Sequence, residues 1–328
     1  MLDFLKNKTI LVTGGTGSFG KSFVKYLLDK TDVKKVIVFS RDEFKQSVMQ
    51  KEINDERLRF FLGDVRDLQR LERAFHGVDI VVHAAALKHV PLLEYNPFEA
   101  VKTNILGSQN VIDAAIDQGA EKVLLISTDK AVQPINLYGS TKLCAEKLFI
   151  NGNSYAGGGT KFSCVRYGNV IGSRGSIVET LLKCASGERV FITDERMTRF
   201  WITLEQSYNL VMFALENMEG GEMFVPKIPS MKLVDLFLAL APNSPRETIG
   251  IRPGEKLNEI LLTEEEARHS VELDKYFVVL PEGEDIFNME KYSKHISAGK
   301  KMAPDFIFSS DTNQAWLTKS DFLNLAKF

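Results

Sequence analysis

Residues 9–30 constrain the fold most, because the period of the apolar pattern changes there across one glycine-rich turn. TILVT, residues 9–13, is an unbroken apolar run with β-branched members, suited to a strand buried on both faces. KSFVKYLLDK, residues 21–30, repeats its apolar positions at helical spacing. Between them, GGTGSFG places Gly14, Gly17 and Gly20 in a GxxGxxG rhythm. Such glycines permit a sharp turn, close approach of a phosphate and tight packing of the helix, whose first backbone N–H groups then face the anion. A flexible glycine loop would not account for its position between two opposed periodicities. No GK[ST] ending follows, which disfavours a nucleoside triphosphate site. The segment predicts a dinucleotide pyrophosphate site lined by Gly14, Thr16, Gly17, Ser18, Phe19 and Gly20.

The second strand, KVIVFSRDE, ends about 20 residues beyond the turn, where an adenosine ribose belongs. It ends in Ser40 and Arg41 before Asp42. Arg41 suits a charge-assisted bond to a 2′-phosphate, with Ser40 as a further donor, so NADP is favoured over NAD. A third strand, RLRFFLGDV, brings Asp64 and Val65 towards the adenine, although Asp64 also suits a turn or helix cap. The fourth, DIVVHAAALKHV, ends in Ala84, Ala85 and Ala86, small enough for a flat cofactor to lie against the backbone. His83, Lys88 and His89 lack carboxylate companions at ligand spacing, so no metal site is expected. Lys88 is read as meeting an anionic or hydroxylated ligand, or else as a solvated surface lysine. NPFEAVKTNILGSQNVIDAAIDQG reads as one long helix, with Asn104 placed to brace the active-site backbone.

Strand and helix alternate to about residue 150, the pattern of an α/β doubly wound parallel sheet of Rossmann type. Ligands of such sheets lie at the carboxyl ends of the strands. There the stretch VLLISTDKAVQPINLYGSTKLCAEK is the most informative. After its buried strand come Thr128, Asp129 and Lys130, then Tyr138 and Lys142 one helical turn apart. A nearby lysine ammonium favours phenolate, so Tyr138 is expected to have a lowered pKa and to accept a proton from a substrate alcohol, with Thr128 steadying the hydroxyl. Oxidation alone leaves Asp129 and Lys130 unemployed. Elimination of water beside a new ketone requires a base for the neighbouring C–H and an acid for the departing hydroxyl. Lys130 fits the base if its pKa is depressed, and Asp129 the acid; the alternative is a solvated pair at a strand end.

The 328 residues allow a main domain and a smaller lobe, divided as 1–173 and 174–328, with segments of the second part returning to the first. With 41 basic and 43 acidic residues, net charge −2, nothing indicates a nucleic-acid partner. Cys144, Cys164 and Cys184 form no CxxC pair and suit a reducing cytoplasm. No leader or membrane anchor is read in the sequence.

TGGTGSFG, STDKAVQPINLYGSTK and RYGNVIGSRGS resemble the extended short-chain dehydrogenase/reductase superfamily, and within it the inverting nucleotide-sugar 4,6-dehydratases of pseudaminic acid biosynthesis. The resemblance covers essentially the whole chain. It implies tightly held NADP, UDP-GlcNAc as substrate, oxidation by Tyr138 and Lys142 with Thr128, Asp129 as dehydration acid and Lys130 as C5 base. Retaining relatives typically carry Asp-Glu where this chain has Asp129-Lys130. It also implies a homo-oligomer, either a dimer formed through helices such as 100–118 or a dimer-based hexamer. In the second half, Asn169 would face nicotinamide and sugar or serve a turn. Arg199 and Arg252 would grip the diphosphate, and Glu255 would meet a ribose or orient a base. Phe200 and Trp201 read as packing residues, and Ser320 as the cap of a terminal helix.

Overall fold

A computed structural model describes residues 3–173, 175–183, 187–283 and 288–326. Cys184 lies outside the described residues. The strands are β1 Thr9–Thr13, β2 Lys35–Ser40, β3 Leu58–Leu62, β4 Ile80–His83, β5 Lys122–Ile126, β6 Lys161–Val165, β7 Asn169–Val170, β8 Val190–Ile192 and β9 Thr198–Ile202. They continue as β10 Met223–Pro226, β11 Ser230–Lys232, β12 Arg246–Thr248, β13 Ile260–Leu262, β14 Ser270–Glu272, β15 Tyr276–Val279, β16 Lys300–Lys301 and β17 Phe308–Ser309. The main sheet runs β16-β14-β15-β10-β6-β5-β4-β1-β2-β3. From β3 to β10 its pairs are parallel, in the 3-2-1-4-5-6 order of a doubly wound dinucleotide-binding fold. β15, β14 and β16 extend that edge antiparallel, so residues from the second half of the chain complete the first sheet.

The central strands are apolar throughout because both faces are covered: β1 is wholly buried, as are Val123, Leu124 and Leu125 of β5. The helices that begin after these strands are α1 Ser18–Lys30, α2 Glu43–Glu52, α3 Leu68–Phe75, α4 Val90–Tyr95, α5 Pro97–Ala100, α6 Gly107–Asp117 and α7 Leu137–Tyr155. Residues 97–117 do not form one regular α-helix. A π-helical turn, Val101–Leu106, separates α5 from α6 and carries the buried Asn104. Its wider winding gives a local reason for a mid-helix asparagine.

Helices α8 Ile177–Lys183, α9 Leu204–Asn217 and α10 Leu233–Leu240 follow. A second apolar cluster joins Val178, Leu181, Ile192, Trp201, Leu236 and Phe322. Phe200 and Trp201 are both buried, with rings 4.7 Å from Phe308 and 5.2 Å from Phe322, so they supply packing. The cap of the terminal helix Lys319–Ala326 is Thr318, not Ser320. Its hydroxyl accepts from the Asp321 N–H at 3.1 Å, and the Asp321 carboxylate accepts from the Thr318 N–H at 2.9 Å. Among the described residues, no helix is long and apolar enough to cross a membrane.

Candidate active site

The strand order β2-β1-β4-β5-β6 brings the carboxyl ends of these strands side by side, and the residues anticipated at the ends of these strands lie along that edge. Gly14 has φ of 65°, and a Cβ there would lie 2.9 Å from the Ala85 backbone; only glycine lets the turn pass so close to the end of β4. Ala84 and Ala85 are fastened by N–H bonds to the Thr13 hydroxyl, each at 3.2 Å. Gly17, the N-cap of α1, brings no side chain of its own to the cap position where a pyrophosphate would lie. Thr16 is buried, Ser18 starts the helix, and Phe19 stacks on Phe23 at 5.4 Å and meets Tyr208 of α9 at 5.9 Å. These features fit a dinucleotide.

At the end of β2, Ser40 is buried and accepts from the Gln46 amide at 3.0 Å. Arg41 is half exposed and only loosely paired with Asp64, at 3.6 Å. Asp64 is held more closely by Arg66, at 2.7 Å, and its pKa is lowered because Arg66 and Arg41 outweigh the effect of burial. Asn110 donates to the Val65 carbonyl at 3.0 Å. Asn104 does brace the β4 exit. It accepts from the Leu87 N–H at 2.8 Å and donates to the Leu87 carbonyl at 2.9 Å and the Thr141 hydroxyl at 3.0 Å. Ala86 sits half-buried between these fixed points. His83 is enclosed between Thr13, at 2.7 Å, and Ser108, and burial pulls its pKa down to about 3, so it is a neutral core residue.

Beyond β5 the chain makes a single turn of 3-10 helix, Asp129–Ala131, capped by Thr128. Asp129 is fully buried: Oδ1 accepts from the Thr128 hydroxyl at 2.9 Å and Lys130 Nζ at 3.1 Å, while Oδ2 has no hydrogen-bond partner among the described residues. Lys130 Nζ also donates to Asn169 Oδ1 at 3.4 Å and lies 3.6 Å from Glu259 Oε1. Burial alone would lower the Lys130 pKa, but Asp129 and Glu259 outweigh it and raise the value. The depressed pKa expected of a resting base is therefore absent, and Lys130 stands as an ammonium. Lys88 lies nearby, its pKa lowered by partial burial of its ammonium and by the charge on Lys130.

Tyr138 and Lys142 share one face of α7, as their spacing requires, yet the expected lowering of the phenol pKa is overturned. Burial pushes Tyr138 up to about 12, Asp129 adds to this, and the opposing cation is Lys130 rather than Lys142. Lys142 is itself buried and drawn down to about 8, with Glu146 partly offsetting that burial. Glu146 joins a buried network, unnoticed in the sequence, in which Arg166 pairs with it at 2.8 Å and with Glu266 at 2.9 Å. This network ties α7 to a segment a hundred residues further on.

That later part of the chain closes over the site. Asn136 donates to the Gly254 carbonyl at 2.8 Å, and Lys256 Nζ to the Val132 carbonyl at 2.5 Å. Arg252 is exposed, and its backbone is held in a turn by Glu255. Arg199 does not present its guanidinium to a diphosphate here. Its Nη atoms donate to the carbonyls of Thr198, Leu257 and Lys256 at 2.7–3.0 Å, and its Nε lies 3.8 Å from Glu259. The carbonyls consume the donors expected to grip phosphate, so Arg199 braces the loop. Glu259, which sequence reasoning passed over, is the residue on which Lys130, Arg199 and Lys256 converge. Its only local signal is an acidic residue immediately before the apolar strand β13.

A glycine turn, a Tyr-x-x-x-Lys helix and the strand order together define a Rossmann-type α/β enzyme. More narrowly, the chain belongs to the polysaccharide biosynthesis protein family, whose model matches residues 10–281. It is 48% identical over 323 residues to the UDP-N-acetylglucosamine 4,6-dehydratase (inverting) of Campylobacter jejuni subsp. jejuni serotype O:2, covering 97% of each chain. It is 41% identical over 304 residues to the UDP-glucose 4-epimerase of Rickettsia rickettsii, covering 90% of this chain and 88% of the relative. Among solved structures, Pen from Bacillus thuringiensis superposes with a TM-score of 0.89 at 38% identity, over 98% of both chains.

Proposed function

We propose that this protein is an NADP-dependent inverting UDP-GlcNAc 4,6-dehydratase. The observation that carries the reading is the Asp129–Lys130 pair, 3.1 Å apart beside Tyr138 at the end of β5. The 48% identical relative bears the name of that activity. When bound, NADP supplies acceptance of a hydride from sugar C4 and its return to C6. The chain's own residues handle the protons. Tyr138 takes the C4 hydroxyl proton as the phenolate, its own phenol proton having first passed to solvent, with Thr128 holding the oxygen and Lys142 the nicotinamide ribose.

The resulting ketone acidifies C5–H. Lys130 removes that proton as the C5–H bond breaks, and Asp129 protonates the departing C6 hydroxyl as the C6–O bond breaks, releasing water. An ammonium at Lys130 beside Asp129 is the state that follows this exchange. Transfer of one proton from Nζ to the carboxylate restores the free amine and the acid. C5 then takes up one proton on the opposite face, balancing the one lost at the C4 hydroxyl. The product is UDP-2-acetamido-2,6-dideoxy-β-L-arabino-hexos-4-ulose.

Arg41, half exposed and loosely paired, supports NADP through a 2′-phosphate contact. Lys88, Asn169, Arg252 and Glu255 remain the proposed sugar-nucleotide contacts. Tyr95 and Phe98, 86% and 62% exposed on α4 and α5, support a homo-oligomer. The Rickettsia relative makes 4-epimerisation the competing reading. Incubation with UDP-GlcNAc and proton NMR decides between them. A new C6 methyl signal with L-arabino configuration is expected; UDP-GalNAc as sole product would show an epimerase.

A further inference from the structure

Glu259 immediately precedes β13, outside every motif that marks the family in this sequence, yet its carboxylate reaches Lys130 from 129 residues further along the chain. It is 2% exposed. Oε1 stands 3.6 Å from Lys130 Nζ and 3.8 Å from Arg199 Nε, and Oε2 stands 3.8 Å from Lys256 Nζ. Its backbone is pinned on both sides by Ser310, whose hydroxyl accepts from the Glu259 N–H at 2.9 Å and whose N–H donates to the Glu259 carbonyl at 2.8 Å. Oε2 is buried without a hydrogen-bond partner among the described residues. These separations are those of ion pairs, too long for hydrogen bonds. Burying a carboxylate at such spacing is costly, and the cost is offset only by the three cations around it, which would be left uncompensated without it. Arg199, locked on three carbonyls, fixes the loop that carries Glu259. The arrangement therefore places one negative charge beside Lys130 from the distant part of the chain.

We propose that Glu259 is a positioning residue for Lys130: it holds the amine against Asp129 and sets how readily the amine gives up its proton to become the C5 base. The second half of this statement rests on the dehydratase reading; the first does not. The charged and titratable groups facing or coupled to Lys130 are Asp129, Glu259, Arg199, Lys256, Lys88 and Tyr138. Removing the Glu259 charge leaves Arg199 and Lys256 uncompensated, so every resulting change favours the neutral amine.

The test uses full-length protein with lysine carrying carbon-13 at Cε, the Lys130 signal being assigned by its loss in Lys130→Met. In Glu259→Gln, Lys130 should lose its proton at least about one pH unit lower than in the wild type. The acidic limb of the pH profile for dehydration should move the same way. Glu259→Asp, which keeps the charge, should move both back towards wild type. Lys256→Met, which takes a cation from Glu259, should move both to higher pH and serves if Glu259→Gln does not fold. A Lys130 titration that is the same in wild type, Glu259→Gln and Lys256→Met would overturn the proposal, even if turnover fell. A shifted titration in a protein that makes no 6-deoxy product would uphold the positioning and refute the dehydratase reading.

Discussion

Replacing Gly139 by alanine is expected to damage catalysis far more than folding. Gly139 follows Tyr138 on α7 and packs on the back of the Lys130 loop. A Cβ at this position would stand 2.1 Å from the Lys130 carbonyl oxygen, 3.0 Å from its carbonyl carbon and 3.0 Å from Pro134 Cβ. Ordinary carbon–oxygen contact lies near 3.4 Å, so helix and loop must part by roughly 1 Å. Alanine recovers about 1 kcal/mol of helix propensity, while overpacking costs about 1–3 kcal/mol. The net loss of stability is then roughly 0–2 kcal/mol. The same displacement separates Tyr138 from Asp129 and Lys130, and about 1 Å of misplacement in a catalytic group costs on the order of 100-fold in rate. Thermal unfolding with and without NADP, together with the initial rate of 6-deoxy product formation, separates the two effects. A folded Gly139→Ala protein with wild-type turnover would refute the coupling of α7 to the Lys130 loop.

Lys130→Met should retain NADP binding but lose dehydration by roughly 100-fold or more, with no solvent deuterium entering sugar C5; unchanged turnover would remove Lys130 from its role. Arg41→Ala should weaken NADP by about 10-fold or more while leaving NAD nearly unaffected, as titration calorimetry with both cofactors would show. His83 has a folded pKa of about 3 against 6.5 for the unfolded chain, so the unfolded state binds more protons between those values. Stability should fall as pH drops from 6.5 towards 3, by roughly 2 kcal/mol at pH 5 from this residue. Urea unfolding of wild type and His83→Gln at pH 7 and pH 5 checks whether the substitution flattens that dependence.

The cofactor half of the molecule was legible because its determinants are local. A buried strand, a glycine turn and a helix follow one another within residues 9–30, and Thr128 to Lys142 lie on a single strand exit and the next helix. Charge state was not legible, because it depends on partners distant in sequence. Tyr138 and Lys142 have the expected spacing, but burial raises the phenol and Lys130 supplies the opposing charge. The depressed pKa that a Lys130 base would need is overturned by Asp129 beside it and, out of reach of local reading, by Glu259, 129 residues later and 3.6 Å away. Arg199 reads as a phosphate clamp until the fold directs its donors to carbonyls of residues 256 and 257. Asn104 was anticipated as a brace, whereas the π-helical turn that carries it left no mark in the apolar pattern.

The central claim is internal: the hydrogen removed from C4 is the one delivered to C6. UDP-GlcNAc bearing deuterium at C4, converted by the wild-type enzyme and read by carbon and proton NMR, tests this directly. The account predicts a CH2D group at C6 and a ketone at C4. Deuterium still at C4 in an epimerised hexosamine, or washed into solvent, would contradict it.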